Sequence, residues 1–163
     1  MVVGRIKAGE GSFIGNAGEY YVVAELLKRG VVAALAPRNT PAFDVLATRD
    51  NRTVRIRVKT KSDDYPDWQW VVKKDGTNFR SMSEVDDFTV LVNLAEDNAD
   101  LRFYIVPTVT VDTWLNADFK KWVEAPGKLG RAHDPSNTKR NLSEKSRQEE
   151  LLAYLGKWDV LWK

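Results

Sequence analysis

The stretch FDVLATRDNRTVRIRVKTK, residues 43–61, constrains this chain more than any other, because its two halves alternate around a polar pair. Phe43, Val45 and Ala47 fall on one side of an extended chain and Asp44, Leu46 and Thr48 on the other. Beyond Asp50-Asn51, Val54, Ile56 and Val58 share one face while Arg55, Arg57, Lys59 and Lys61 share the opposite one. Strand side chains alternate with period two, so the stretch predicts a β-hairpin with one apolar and one basic face. With Asp50-Asn51 as the two loop residues, position 48 pairs with 53 and position 44 with 57. That register sets Asp44 directly across from Arg57 and one step from Lys59, a single carboxylate inside a basic row.

The rest of the chain supplies partners for this hairpin. Residues 17–29 hold good helix formers, with apolar Tyr20, Val23, Ala24 and Leu27 and a stop at Gly30. Residues 31–36 suit a short buried strand, which the Pro37-Arg38-Asn39-Thr40-Pro41 turn breaks. Residues 68–73 read as a further sheet segment and residues 87–94 as a fully buried strand, with residues 101–106 its partner across a polar turn. Residues 110–124 repeat Val111, Trp114, Leu115, Phe119 and Trp122 at helical spacing, a pattern that marks an amphipathic helix whose aromatic stripe is core. A last helix is expected over residues 144–155, stopped by Gly156 before a closing strand or tail. Residues 1–14 are expected to be a flexible segment, and residues 126–142, rich in Gly, Pro, Asn, Lys and Arg, a flexible basic loop. The order predicts a single α/β (α+β) layered domain spanning residues 1–163, with a central mixed sheet flanked by helices.

Composition narrows the function classes. The chain has no cysteine, which excludes a disulfide framework and a thiolate metal site. The single histidine, His133, has no second histidine near it and makes no convincing zinc site. No run approaches the roughly 20 apolar residues of a membrane span, and the first dozen residues lack an apolar signal core, so a cytoplasmic protein with no membrane partner is expected. A net charge of +2 says little by itself about a polyanionic partner; the distribution of charge has to say it.

Three segments taken together, GEYYVVAELL (18–27), PRNTPAFDVL (37–46) and RVKT (57–60), resemble the PD-(D/E)XK endonuclease superfamily, and within it the small Holliday-junction-resolvase-like and restriction-endonuclease-like proteins. The resemblance covers residues 15–61; the rest agrees only in the order of elements. It implies a restriction-endonuclease-like fold and a Mg²⁺-dependent endonuclease that hydrolyses phosphodiester bonds in DNA, with Mn²⁺ as a substitute ion and RNA left open. It also implies that Asp44 ligates the cation, that Glu19 joins it directly or through water, that the Val58 carbonyl completes the protein's share, and that Lys59 positions the attacking water and stabilises phosphate charge. Proteins of this kind often work as homodimers. The chemistry is sound, since Mg²⁺ takes oxygen ligands and uses only one or two carboxylates beside substrate and waters.

The chain departs from the pattern at Arg57, which stands where the family has Glu, Asp or Gln. A guanidinium cannot ligate a cation, and the hairpin register puts it where a cross-strand ion pair with Asp44 would form. At about 4 to 6 Å and an effective dielectric near 20, its repulsion of Mg²⁺ amounts to several kcal/mol. Two readings follow. In one, Glu19, Asp44 and Lys59 form an active centre and Arg57 holds the scissile phosphate. In the other, an Asp44–Arg57 pair occupies the metal's place, metal binding is weakened or absent, and the chain is a catalytically degenerate module that binds nucleic acid or a protein partner without cleavage. Glu10, Asp63, Asp64 and Asp67 are candidate substitute acids.

The basic row extends the expected interface. Arg55, Arg57, Lys59 and Lys61, with Lys73 and Lys74 on the next segment, suggest a phosphate-facing stripe, and Arg38 and Asn39 precede Asp44 where a substrate backbone would pass. Arg131, Lys139, Arg140, Lys145 and Arg147 give the last third a basic accent able to close over a duplex. Trp68 and Trp70 share a face on which bases could stack, although burial is the better expectation for both.

Overall fold

The computed structural model describes residues 11–95 and 100–163. Helix α1 (Gly11–Lys28) leads into strands β1 (Val32–Leu35), β2 (Val45–Arg49), β3 (Arg52–Ser62), β4 (Asp67–Val71), β5 (Asp87–Leu94) and β6 (Arg102–Pro107). Helix α2 (Thr108–Glu124), strand β7 (Lys139–Ser143), the short helix α3 (Gln148–Leu152) and a closing 3₁₀ turn (Trp158–Trp162) complete it. Five strands form one mixed sheet in the order β1-β2-β3-β5-β6, and β4 pairs with β7 in a separate two-stranded ribbon. Only β3 and β5 run parallel; the other neighbours are antiparallel. The α+β layering and the mixed central sheet are those the sequence predicts. The hairpin register holds as well: Thr48 lies opposite Thr53 and Val45 opposite Ile56, around a two-residue turn in which Asp50 takes φ 54°.

Both faces of the sheet are covered, which is why β5 is buried at successive residues rather than at alternate ones. Val54, Ile56, Val90 and Ile105 point towards α1 and the closing 3₁₀ turn. Leu91, Tyr104 and Val106 point the other way, under α2 and the β4–β7 ribbon. Trp68 and Trp70 belong to this second core, so their burial is as expected; Trp68 Nε1 donates to the Val92 carbonyl at 3.0 Å.

Five expectations need correction. Helix α1 begins at Gly11, so the last residues of the supposed flexible segment are helical; residues 1–10 lie outside the described residues. Its sheet-facing line is Gly18, Val22 and Leu26, while Tyr20 and Leu27 are exposed and Val23 is half-buried. Gly18 dictates that line. A Cβ built there would overlap Thr60 Oγ1, so helix and strand touch at a point where only glycine fits. Strand β1 is an edge strand with alternate residues exposed, paired only to β2. Residues 68–73 do not join the main sheet, because β4 finds its partner in β7 instead; that pairing orders the end of the expected loop at 126–142. The helix expected over residues 144–155 is reduced to α3, since Ser143 closes β7 and Gly156 donates back to the Phe103 carbonyl at 2.8 Å. The C-terminal stop of α1 is as read: Gly30 at φ 72° and the Val31 N–H to Leu26 carbonyl bond make a Schellman ending.

Two glycines in α1 therefore predict opposite outcomes. Gly15 has open space around it, so Gly15→Ala should stabilise the fold by up to about 1 kcal/mol of helix propensity. Gly18→Ala should lower stability despite the same propensity gain, by prising α1 off Thr60. Urea denaturation of the two variants decides the point.

Candidate active site

Asp44 lies at the open end of the hairpin, where β2 has just left the ladder. Its N–H still donates to the Ile56 carbonyl at 2.9 Å, and its carboxylate Oδ2 takes the next ladder donor, the Val58 N–H, at 2.7 Å. The carboxylate thus substitutes for a strand partner and is fixed against the backbone of β3. Glu19 follows Gly18, one residue beyond the closest helix-to-strand contact, and with Asp44 lines a cleft of about 300 Å³ whose rim includes Arg38, Asn39 and Thr40. Asn39 adopts φ 67° there, in a turn closed by the Thr40 N–H and hydroxyl on the Pro37 carbonyl.

Both acids are disposed to keep a proton. Burial pushes the Glu19 carboxyl above its usual range and the charge of Asp44 pushes it further. Burial raises Asp44 as well, against the pull of the Val58 N–H, Arg57 and Lys59. Neither carboxylate has an ion-pair partner among the described residues. Lys59 stands beside Asp44 with its Nζ 5.4 Å from the Trp70 ring centroid, and burial followed by the charge of Lys73 holds its ammonium below the usual lysine range.

Arg57 is not where the hairpin register suggests. Its guanidinium makes no ion pair with Asp44: Nη2 lies 3.8 Å from Asp87 Oδ1 and donates to the Arg80 carbonyl at 2.8 Å, and the group stands 5.5 Å from the Phe79 ring centroid. The expected Asp44–Arg57 ion pair is therefore absent. Asp87 is the reason. This carboxylate heads β5 at 1% exposure and must be neutralised where it stands; its Oδ2 accepts from Arg55 Nη2 at 2.6 Å and from the Ser83 N–H, and Arg57 adds its charge at 3.8 Å. Register makes this direct, because parallel pairing sets Arg55 opposite Asp87 and Arg57 opposite Thr89.

The basic row is likewise not the exposed stripe expected. Lys61 is 5% exposed, its Nζ held by Glu144 at 2.7 Å and the Tyr65 carbonyl at 2.8 Å, with Trp68 over it. Arg55 is engaged by Asp87. The cause is the ribbon, which covers this face of β3 and sets an aromatic ring over Lys59 and Lys61 in turn, as the loop after it does for Arg57. Lys73 and Lys74 are exposed, and Lys73 lines a recess of about 170 Å³ with Asp44, Lys59 and Arg80. In the last third, Arg147 is committed to Asp118 and Glu150 and Arg140 lies on Phe119, leaving Arg131, Lys139 and Lys145 exposed. His133 stacks on Trp122.

No group of three or more His, Cys, Asp or Glu side chains able to hold an ion occurs among the described residues. The candidate substitute acids do not change this: Asp63 is engaged by Arg102 and Asn93, Asp64 and Asp67 lie outside the cleft, and Glu10 lies outside the described residues. Two carboxylates on one cleft nonetheless suit Mg²⁺, which fills the rest of its shell from water and phosphate.

No protein-family model matches the sequence and no curated protein matches it. Among solved structures, the chain is similar to the bacterial homing endonuclease I-Ssp6803I, with a TM-score of 0.58 over 94% of this chain and 93% of that one at 13% identity. This chain has a restriction-endonuclease-like fold. The fold is thus the one that the resemblance of residues 15–61 implies. A structure of the Holliday junction resolvase Hjc from Archaeoglobus fulgidus matches more loosely, with a TM-score of 0.39 over 80% of this chain and 84% of that one at 14% identity. On this restriction-endonuclease-like scaffold, Asp44 lines one cleft with Glu19 and a second recess with Lys59. The residues that sequence reasoning misses are Asp87, Arg80 and Glu144. An acid at the head of a largely apolar strand is the one available signal for Asp87.

Replacing Asp87 by Asn strands two guanidinium groups against an uncharged partner. Asp87→Asn should cost on the order of 3 kcal/mol, as loss of one member of a buried pair does. An unchanged denaturation midpoint would mean that Asp87 does not hold Arg57.

Proposed function

We propose that this chain is a divalent-metal-dependent nuclease that hydrolyses phosphodiester bonds in DNA, with Asp44, Glu19 and the Val58 carbonyl holding Mg²⁺ or Mn²⁺ and Lys59 beside the reacting phosphate. One observation carries the reading: Arg57, the residue that would displace a cation, is tied to Asp87 and the Arg80 carbonyl, while Glu19 and Asp44 face one cleft without a cationic partner. DNA is the substrate class that the resemblance implies, and the similar solved chain is named a homing endonuclease. When bound, a divalent cation polarises phosphoryl oxygens and lowers the pKa of a water it holds.

The chain's own residues account for the rest. The hydrogen bond from the Val58 N–H fixes one oxygen of Asp44 against β3 at the edge of the cleft. Lys59, with its weakened hold on its proton, supplies a compact positive charge beside the phosphate and a proton within reach of the reacting oxygens. Arg38 and Asn39 form the rim over which the nucleic-acid backbone passes. Cutting both strands of a duplex requires two such centres, so the working species is expected to be a homodimer.

The raised carboxylates set a pH dependence whose sign can be worked out. A carboxyl group whose folded-state pKa is raised contributes stability below its unfolded value, about 4, and loses it as pH rises through the folded value. At neutrality, ionised Glu19 and Asp44 work against the fold until a cation joins them. Without metal at about pH 7, Asp44→Asn should melt above the wild type, and added Mg²⁺ should raise the melting temperature of the wild type alone.

Calorimetric titration of Mg²⁺ and Mn²⁺ tests the reading itself. Heat is expected with the wild type and not with Asp44→Ala, with affinity falling as pH drops towards the carboxylate range, and cleavage of duplex, nicked or branched DNA should follow. A chain that takes up no metal even with a short duplex present is not a metal-dependent nuclease.

A further inference from the structure

Sharing Asp44 with the Glu19 cleft lies a second recess, lined by Asp44, Arg57, Lys59, Trp70, Lys73 and Arg80 among others. Arg57 is held by Asp87, and the other three cations have no ion-pair partner among the described residues. Lys59 is largely covered by Trp70, and Lys73 lies close enough for its charge to act on Lys59. Asp75 faces Arg80 from the same loop but is engaged by the N–H and hydroxyl of Thr77. Cations gathered on one concave surface and left unneutralised raise the local potential and favour an anion there.

The loop that brings Arg80 in, residues 72–86 between β4 and β5, is fixed from three directions. Asn78, itself 3% exposed, donates through Nδ2 to Asp112 Oδ1 and Asn116 Oδ1 of α2, each at 2.9 Å. Arg57 reaches the Arg80 carbonyl at 2.8 Å and Arg55 the Ser81 carbonyl at 3.2 Å, where Ser81 turns at φ 52°. The Ser83 N–H donates to Asp87. The arginine at the departed motif position therefore grips the backbone of the very residue whose side chain borders the recess.

We infer that Lys59, Lys73 and Arg80 form a seat for one phosphate of the nucleic-acid backbone, and that Arg57 is the positioning residue that holds Arg80 in it. This rests on the reading of Asp44 as a nuclease centre, and it gives the departure from the family pattern a physical role. Arg57 serves the substrate side of the site through the loop it anchors.

The test is fluorescence anisotropy of a labelled short DNA duplex, with the metal chelated and KCl varied. Arg80→Ala should weaken binding by roughly tenfold and reduce the slope of log affinity against log salt by about one, as loss of one phosphate contact does. Arg57→Lys keeps the charge but cannot grip Asp87 and the Arg80 carbonyl together. It should weaken binding in the wild-type background and add little in the Arg80→Ala background, a coupling that an independent role for Arg57 would not give. Melting temperatures check that both variants fold; should Arg57→Lys not fold, Arg80→Ala alone decides the phosphate seat. An Arg80→Ala variant with unchanged affinity and salt slope overturns the seat, and additive effects of the two substitutions overturn the positioning role. Metal titration keeps the two readings separable: a chain that binds duplex through Arg80 yet takes no cation at Asp44 leaves the seat standing and removes the nuclease reading, while metal uptake with no effect of Arg80→Ala does the reverse.

Discussion

Asp87 is the constraint from which the arrangement of this site follows. A carboxylate at 1% exposure cannot remain ionised without positive charge close by, and the parallel pairing of β3 with β5 places Arg55 opposite it and Arg57 one pleat on. Meeting that demand draws both guanidinium groups towards the head of β5 and off the hairpin's open end. Asp44 is then left with a backbone N–H and the distant influence of two cations, which is too little to offset its burial. The same two arginines cap carbonyls in the loop from β4 to β5, so a single buried acid organises the surroundings of Asp44 and the loop beside it.

A row of alternating charges normally implies a solvated strand face, and here it does not. The face of β3 that carries Arg57, Lys59 and Lys61 lies beneath a second layer, and each cation meets an aromatic ring: Phe79, Trp70 and Trp68 at 5.5, 5.4 and 5.0 Å from their centroids. Long basic side chains tolerate such cover because their stems are apolar and their charged ends reach acids or ring faces. Lys61 ends on Glu144, which also accepts from Arg102 and the Tyr104 hydroxyl, so the far end of the row belongs to a structural network. Only the stretch around Lys59 stays open, and that opening coincides with Asp44.

Much of the fold was legible because it is local. The turn at Asp50-Asn51 fixes the hairpin register, the largely apolar, non-alternating sequence of β5 announces a strand covered on both faces, and Gly30 ends α1 where a left-handed residue is needed. What was not legible depends on contacts distant in sequence. Nothing in the residues of β4 says that its partner is β7 rather than the main sheet, since the pairing spans some seventy positions. The sheet-facing line of α1 was misread because hydrophobicity points to Tyr20 and Leu27, whereas the decisive residue, Gly18, contributes by having no side chain. For the candidate site, the nearness of Asp44 to Glu19 and to Lys59 was readable from motif spacing; the rotamer of Arg57 was not, because it is set by an acid thirty residues away.

The nuclease reading turns on where the guanidinium of Arg57 sits once a cation is offered to Asp44. A crystal structure grown with Mn²⁺ and analysed by anomalous scattering measures this directly. The expected result is a metal peak bound by Asp44 and Glu19, with Arg57 still on Asp87 and the Arg80 carbonyl. No peak in the cleft, with Arg57 swung over to Asp44, would contradict it and identify a site in which the arginine has taken the metal's place.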